Sequence, residues 1–213
     1  MYKAILADRI KQLINVTKEL LLKAQGLQSS HDRYLPASLK ESSFYKNSEI
    51  ALLARFLHTT FYYDALLNLN TILNRIQKKQ DKKEQSIFEL IEYETDQGRK
   101  NKLSTKATEL IIKLEAKNLH KWRNKLVGHK DIGVAGDTEI MYLNFIKEEY
   151  LDYTISLIND LDSFMIQYYD VAANNTFAEM YSKSFEKMSE LFEKELRKTS
   201  KNLTYKKNNR ARE

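Results

Sequence analysis

An all-α antiparallel bundle is the fold this sequence predicts, and three observations lead to it. Glycine occurs five times and proline once in 213 residues, so residues that interrupt helices are scarce. Leu, Ile, Lys, Glu and Ala, all compatible with helical backbone, fill the periodic stretches. Apolar residues recur at three- and four-residue intervals, which builds one face of a helix rather than the alternating faces of a strand. The length suits a single domain with a sizeable core. We expect five or six helices, one unit over 1–193, and over 194–213 the basic end of the last helix and a polar tail.

The first helix is expected from Tyr2 to Gly26, with Ile5, Leu6, Ile10, Leu13, Ile14, Leu20 and Leu21 near helical spacing and Gly26 as its stop. Residues 27–46 hold Ser29, Ser30, the single Pro36, Ser42 and Ser43, and read as a long connection. A central helix follows from Ser48 to about Lys79, with Ile50, Leu53, Leu57, Phe61, Leu66, Leu69, Leu73 and Ile76 on a broad apolar face. Beside that face runs a polar row, Asp64, Asn68, Thr71 and Arg75. It is either a solvated stripe with local ion pairing or the lining of a groove.

After the charged run KKQDKK, a short helix through Ile87, Leu90 and Ile91 is expected to end near Gly98, and GRKNK to form a basic turn. Ser104 or Thr105 then caps the next helix, in which Ala107, Leu110, Ile111, Leu114, Leu119, Trp122 and Leu126 are apolar. DIGVAGDTE, with two Gly and two Asp, is a loop. A strong helix is expected over Lys147–Ala173, with Tyr150, Leu157, Leu161, Phe164 and Tyr168 on one face, flanked by Leu151, Ile158 and Met165. Thr176 and Glu179 form a capping-box pattern that opens a final helix, Phe177 to about Lys201.

Composition excludes several classes of function. Zero cysteines rule out disulfides and thiolate metal sites. There is no apolar run near ~18 residues and no leader pattern at the N-terminus, so a soluble cytoplasmic protein without membrane contact is expected. H-E-x-x-H, tight Asp/Glu clusters, Gly-rich phosphate loops and nucleophile elbows are all missing from the sequence. Neither metal nor cofactor is therefore expected. Residues 194–213 carry eight basic and two acidic side chains, which accounts for the whole formal charge of +6. Such an end either keeps the chain solvated or attracts phosphate backbones without reading sequence.

The stretch HKWRNKLVGHKD, His120–Asp131, stands where the apolar rhythm gives out. On an unbroken helix Arg123 and His129 would point about 120° apart. Gly128 can end the helix in the left-handed region and turn His129 back toward the last turn. Imidazole and guanidinium would then share one small volume, with Asn124 bracing the turn and Asp131 placed to orient the imidazole or raise its pKa. RNA carries its own nucleophile, the 2′-hydroxyl. Cleaving it needs a base for that proton and a cation for the charge that grows on the phosphoryl oxygens. His and Arg supply those roles, and the planar guanidinium fork suits phosphate better than an ammonium does.

With nine Arg and four His in the chain, an Arg followed by a His after four to six residues arises by accident roughly 0.5 times. Requiring Asn directly after the Arg lowers that to roughly a few hundredths. The R-N-x4-H run Arg123-Asn124 through His129 resembles the R-x4-6-H signature of the HEPN superfamily, and RNKLVGHKD, with Asp131 two past the His, looks most like its bacterial abortive-infection branch. The resemblance implies a helical bundle of four core helices, over about residues 45–172 here with additional N- and C-terminal helices, and a homodimer in which two motif copies face one another at a composite active site. In active members it also implies metal-independent endoribonuclease action, used as a toxin or in antiviral defence. It casts His129 as catalytic base or acid, Arg123 as phosphate stabiliser and Asn124 as the residue holding the motif turn. HEPN toxins silenced by nucleotide addition have Tyr where Asp131 stands, so an antitoxin of that kind is not expected, although another inhibitor protein fits. His120, Lys125, Lys130, Asp64 and Asn68 are candidates for lining the cleft.

Other readings of the same residues stay open. Arg123 and His129 would also serve as cations at a helix C-terminus, and the fold without cleavage would act as a module binding RNA, nucleotide or a protein partner. Trp122, the single Trp, is either a core or dimer anchor or a base-stacking platform. His58, among apolar neighbours on the central helix, reads as a hydrogen-bonded structural histidine.

Overall fold

A computed structural model describes residues 2–34, 49–74, 86–117, 119 and 146–171, together with 187, 190–191, 193–195, 197–198 and 201. Among the described residues every regular element is an α-helix: α1 (Tyr2–Tyr34), α2 (Glu49–Ile72), α3 (Ile87–Glu92), α4 (Gln97–Ala116) and α5 (Glu148–Tyr169). The described residues between 187 and 201 are helical too, within the span of the expected final helix, whose capping pair Thr176 and Glu179 lies outside the described residues. None of the described helices is long and apolar enough to cross a membrane.

The four long helices alternate in direction. α2 packs back along α1, and α5 runs antiparallel to both α1 and α4. Lys3 lies over the Tyr169 ring while Lys11 meets Asp162, and Arg99 and Lys113 of α4 reach Tyr168 and Asp160 of α5. α3 is a single short stretch whose Ile87, Leu90 and Ile91 are buried. It is opened by the Ser86 hydroxyl, which accepts from the Glu89 N–H at 3.2 Å, and tied to the start of α1 where the Tyr2 hydroxyl donates to Glu89 at 3.0 Å. One apolar core joins all five helices.

Several boundaries differ from expectation. α1 does not stop at Gly26 but runs to Tyr34, which turns the first part of the expected 27–46 connection into helix. A glycine inside a helix costs only about 1 kcal/mol relative to Ala, and burial of Ala24 and Leu27 on either side of it outweighs that. The basic run GRKNK is not a turn but the start of α4, and Ser104 and Thr105 lie inside that helix instead of capping it. The cap is Asp96, whose carboxylate accepts from the Arg99 N–H at 2.8 Å. The face of α2 also departs from the expected one over its first half. Leu53 is 47% exposed, and Ala54, His58, Thr59 and Tyr62 take the inward positions. From Leu66 onward the expected residues are buried. Residues 75–79, with Arg75 and Ile76, lie outside the described residues.

α4 ends at Ala116, with Lys117 as its C-cap, whereas the expected end near Leu126 lies outside the described residues. Its buried residues are Leu103, Ala107, Leu110 and Leu114. Leu119 comes five residues after Leu114, which on a continuous helix would turn it about 140° from that stripe. Leu119 is nevertheless fully buried, and it follows the end of the helix at the Lys117 C-cap. The end of α4 is held by α5: the Tyr153 hydroxyl donates to the Lys113 carbonyl at 2.8 Å, and the Lys117 ammonium sits over the Tyr150 and Tyr153 rings. The other end of the pair is held in the same manner, by Arg99 donating to the Tyr168 carbonyl. In both places a side chain satisfies a last-turn carbonyl that the helix itself leaves open.

A charged clasp joins α1 to α5. The Asp162 carboxylate accepts from Lys11, which is 3% exposed, and from Lys18 at 2.6 Å. Burial pushes the Asp162 carboxyl up, but the two ammonium groups outweigh it and hold it below the usual carboxylate range. Its folded-state pKa being depressed, the clasp contributes stability above the ordinary carboxylate value of about 4, and that contribution is lost as pH falls through the depressed folded value. Asp162→Asn should cost about 3 kcal/mol, because it strands the buried Lys11 ammonium. Lys11→Met combined with Asp162→Leu should cost much less. Urea unfolding of the three variants at pH 7 and pH 3 checks this, and a double variant as unstable as Asp162→Asn would contradict it.

Candidate functional site

The residues nominated for chemistry, Arg123, Asn124 and His129, lie outside the described residues, as do Asp131, His120, Lys125, Lys130, Trp122 and Gly128. Whether imidazole and guanidinium converge is therefore not part of the described structure, which shows the frame from which the 120–145 segment leaves and to which it returns. The segment leaves from Leu119, fully buried beyond the end of α4, and returns at Ile146, buried just before α5. Both belong to the same apolar core.

The return point is held by His58. This side chain has no exposed surface, and both of its ring nitrogens are engaged. Nδ1 lies 2.9 Å from the Ala24 carbonyl of α1, and Nε2 lies 3.1 Å from the Ile146 backbone nitrogen. An amide N–H only donates and a carbonyl only accepts. Nε2 must therefore be the acceptor and Nδ1 the protonated donor, which makes the ring the neutral Nδ1–H tautomer. One imidazole on α2 thereby fixes α1, α2 and the entry to α5 relative to one another, at the end of the bundle where the 120–145 segment re-enters. The sequence reading of His58 as a hydrogen-bonded structural residue agrees with this geometry. It did not foresee that the bond would reach Ile146, whose backbone N–H leaves no trace in side-chain pattern.

Polar side chains close to His58 along α2, and to Ala24 along α1, are buried as well. Arg55 and Thr59 on α2 and Lys23 on α1 are all buried. Burial lowers the Lys23 ammonium pKa, opposed by the nearby Glu19 carboxylate. One turn further along, the Tyr62 hydroxyl lies 3.2 Å from that of Thr154 on α5, which itself donates to the Tyr150 carbonyl at 2.7 Å. The Thr154 proton is thus committed, and Tyr62 supplies the hydrogen between them. Burial pushes the Tyr62 phenol up to about 12, so it keeps that hydrogen at physiological pH.

Two cleft-lining candidates are described. Asp64 is exposed and Asn68 half-buried on α2, with partial burial raising the Asp64 carboxyl pKa. Thr71 in the same row donates to its own helix at Leu67. The row sits on an outer flank of α2, beginning about 9 Å along the helix from His58. The structure does not bring it together with any other nominated residue that is described. Among the described residues no group of three His, Cys, Asp or Glu stands where it could hold a metal ion.

His58→Ala should cost about 3 kcal/mol, from the cavity and from an Ile146 amide left buried without an acceptor, and should raise hydrogen exchange at that amide. His58→Gln, which retains a donor and an acceptor, should cost less. Unchanged protection of Ile146 in His58→Ala would show that the imidazole does not hold it. Compared with family models, curated proteins and solved structures, the chain has no match.

Proposed function

We propose that this chain is a metal-independent endoribonuclease of HEPN type, a toxin or phage-defence effector that acts as a homodimer. The observation that carries the reading is the run Arg123-Asn124-x4-His129-x-Asp131, with Gly128 beside the histidine, in a chain whose described residues form a helical bundle. The anchoring of Leu119 and Ile146 in one core supports it, because it fixes both points at which the segment bearing the motif joins the bundle.

In this reading His129 takes the proton from a 2′-hydroxyl of RNA. The 2′-oxygen attacks the adjacent phosphorus, the bond to the 5′-oxygen breaks, and that oxygen leaves after receiving a proton. The products are a 2′,3′-cyclic phosphate and a 5′-hydroxyl. Arg123 donates two parallel hydrogen bonds to the phosphoryl oxygens as their charge grows. Asn124 holds the motif turn and Asp131 orients the imidazole. Two copies facing across a two-fold axis would form one cleft, with His120, Lys125 and Lys130 on its rim and the basic residues of 194–213 drawing RNA toward it.

His129→Ala should lower RNA cleavage at least about 100-fold and abolish growth inhibition, while leaving the fold and the dimer intact. Arg123→Ala should behave alike, and Arg123→Lys should retain part of the rate. Cleavage assays in EDTA, with end-group analysis of the products, check this. Full activity of His129→Ala would end the nuclease reading. RNA binding without cleavage in every variant would favour a non-catalytic module.

A further inference from the structure

The described residues between 187 and 201 have the spacing and the contacts of one helix. All are helical, and Glu193 pairs with Arg197 and Glu195 with Lys198, as neighbours four and three positions apart on a helix do. Lys187, Lys194 and Lys201 stand seven residues apart. That spacing sets them in one row, with a drift of about 20° per step and a length of about 21 Å. All three are exposed, and so is Lys198 between the last two.

The charge of this row is unbalanced. In the bundle, Lys3, Lys11, Lys18, Lys100, Lys106 and Lys113 each reach a carboxylate. Lys187, Lys194 and Lys201 meet none among the described residues. Lys198 has only a long, exposed pair with Glu195 at 3.7 Å, which holds little in water. Lys194, Lys198 and Lys201 are four and three positions apart, where like charges repel, so the row weakens its own helix. Its place in the molecule follows from Glu193, the least exposed of these residues, whose carboxylate accepts from Ser30 Oγ of α1 at 3.3 Å. Ser30 lies about 9 Å along α1 beyond Ala24, and Ala24 and Ile146 share the His58 ring. The row is therefore at the end of the bundle to which the 120–145 segment returns.

We propose that the row Lys187, Lys194, Lys201, with Lys198 beside it, is a docking ridge for the phosphate backbone of an RNA strand. Ammonium groups in line displace the counterions condensed on phosphates and need no particular base sequence. Protein interfaces have an apolar or aromatic centre and are depleted in lysine, which is the reverse of this row. A helix held on a membrane buries a whole apolar face, whereas Leu191 is the one large apolar side chain exposed among the described residues of this stretch. RNA as the source of the phosphates rests on the ribonuclease reading and on the row's place at the end where the motif-bearing segment returns.

Fluorescence anisotropy of a labelled single-stranded oligoribonucleotide of about 16 nucleotides, titrated with the full chain carrying His129→Ala so that no RNA is consumed, tests this. Lys187→Gln, Lys194→Gln and Lys201→Gln together should weaken binding roughly tenfold or more at about 0.1 M salt. They should also reduce the slope of log affinity against log salt by about 2. Arg at the same three positions should retain binding. Lys102→Gln, Lys106→Gln and Lys147→Gln together remove the same charge from exposed sites elsewhere and should change affinity less than about twofold. Thermal unfolding should be unaltered by the row variant, because its three side chains are exposed. Equal weakening by the two Gln sets would reduce the effect to net charge and overturn the proposal, as would absent RNA binding or an unchanged salt slope. Row-dependent binding to vesicles of phosphatidylcholine and phosphatidylserine, without RNA binding, would overturn it in favour of a membrane surface. Cleavage is not read in this experiment: a wild-type chain that cuts no RNA yet binds it through the row would end the nuclease reading and leave the ridge.

Discussion

The arrangement of this bundle depends on one buried imidazole with a single acceptable protonation pattern. His58 has a carbonyl on one side and an amide on the other, so only the neutral Nδ1–H tautomer satisfies both. The bond to Ala24 is made between adjacent helices. The bond to Ile146 spans 88 positions of sequence and sets where α5 begins. An apolar residue in its place would fill the volume but would leave the Ile146 N–H without an acceptor, and an unpaired buried amide costs more than packing alone recovers.

Around that anchor the helices are joined by side chains that complete one another's ends. Tyr153 closes a carbonyl at the end of α4, and Arg99 closes one at the end of α5. Helix termini leave polar groups that must find partners, so two antiparallel neighbours of matched length can each supply what the other lacks. The Lys11–Asp162–Lys18 cluster adds a different kind of constraint. It contributes little net stability compared with apolar packing, yet a shifted register would strand Lys11 in the core. Specificity of alignment, more than strength, is what such a cluster provides.

The two ends of the α4–α5 pair carry different chemistry. At one end the 120–145 segment departs and returns against a core that holds His58, Arg55, Thr59 and Lys23. At the other, two helix starts with cations in their first turns frame a cleft lined by tyrosines. The point where the 120–145 segment leaves α4 and the place where Lys3 and Arg99 share Glu94 are thus separated by the length of a helix.

The all-helical class, the run of α5 and the inward face of α2 beyond Leu66 were legible in the sequence because repeated three- and four-residue spacing has one low-energy solution in water. The run Arg123-Asn124 through His129 and Asp131 was nominated from sequence alone and lies outside the described residues. Local signals misled where tertiary contacts outweighed them. Gly26 looked like a stop, but packing of Ala24 and Leu27 carried the helix through. Ser104 and Thr105 looked like caps, but Asp96 was already placed eight positions earlier. Leu114 and Leu119 looked like parts of one helix face, but α4 ends at Ala116 and Leu119 is buried beyond that end. Sequence by itself determined which residues prefer helix and which faces prefer the core, because those preferences are local. Only the tertiary structure decided that His58 would reach Ile146 and that Lys3, Arg99 and two tyrosines would share a cleft, because those meetings depend on how distant helices are set against one another.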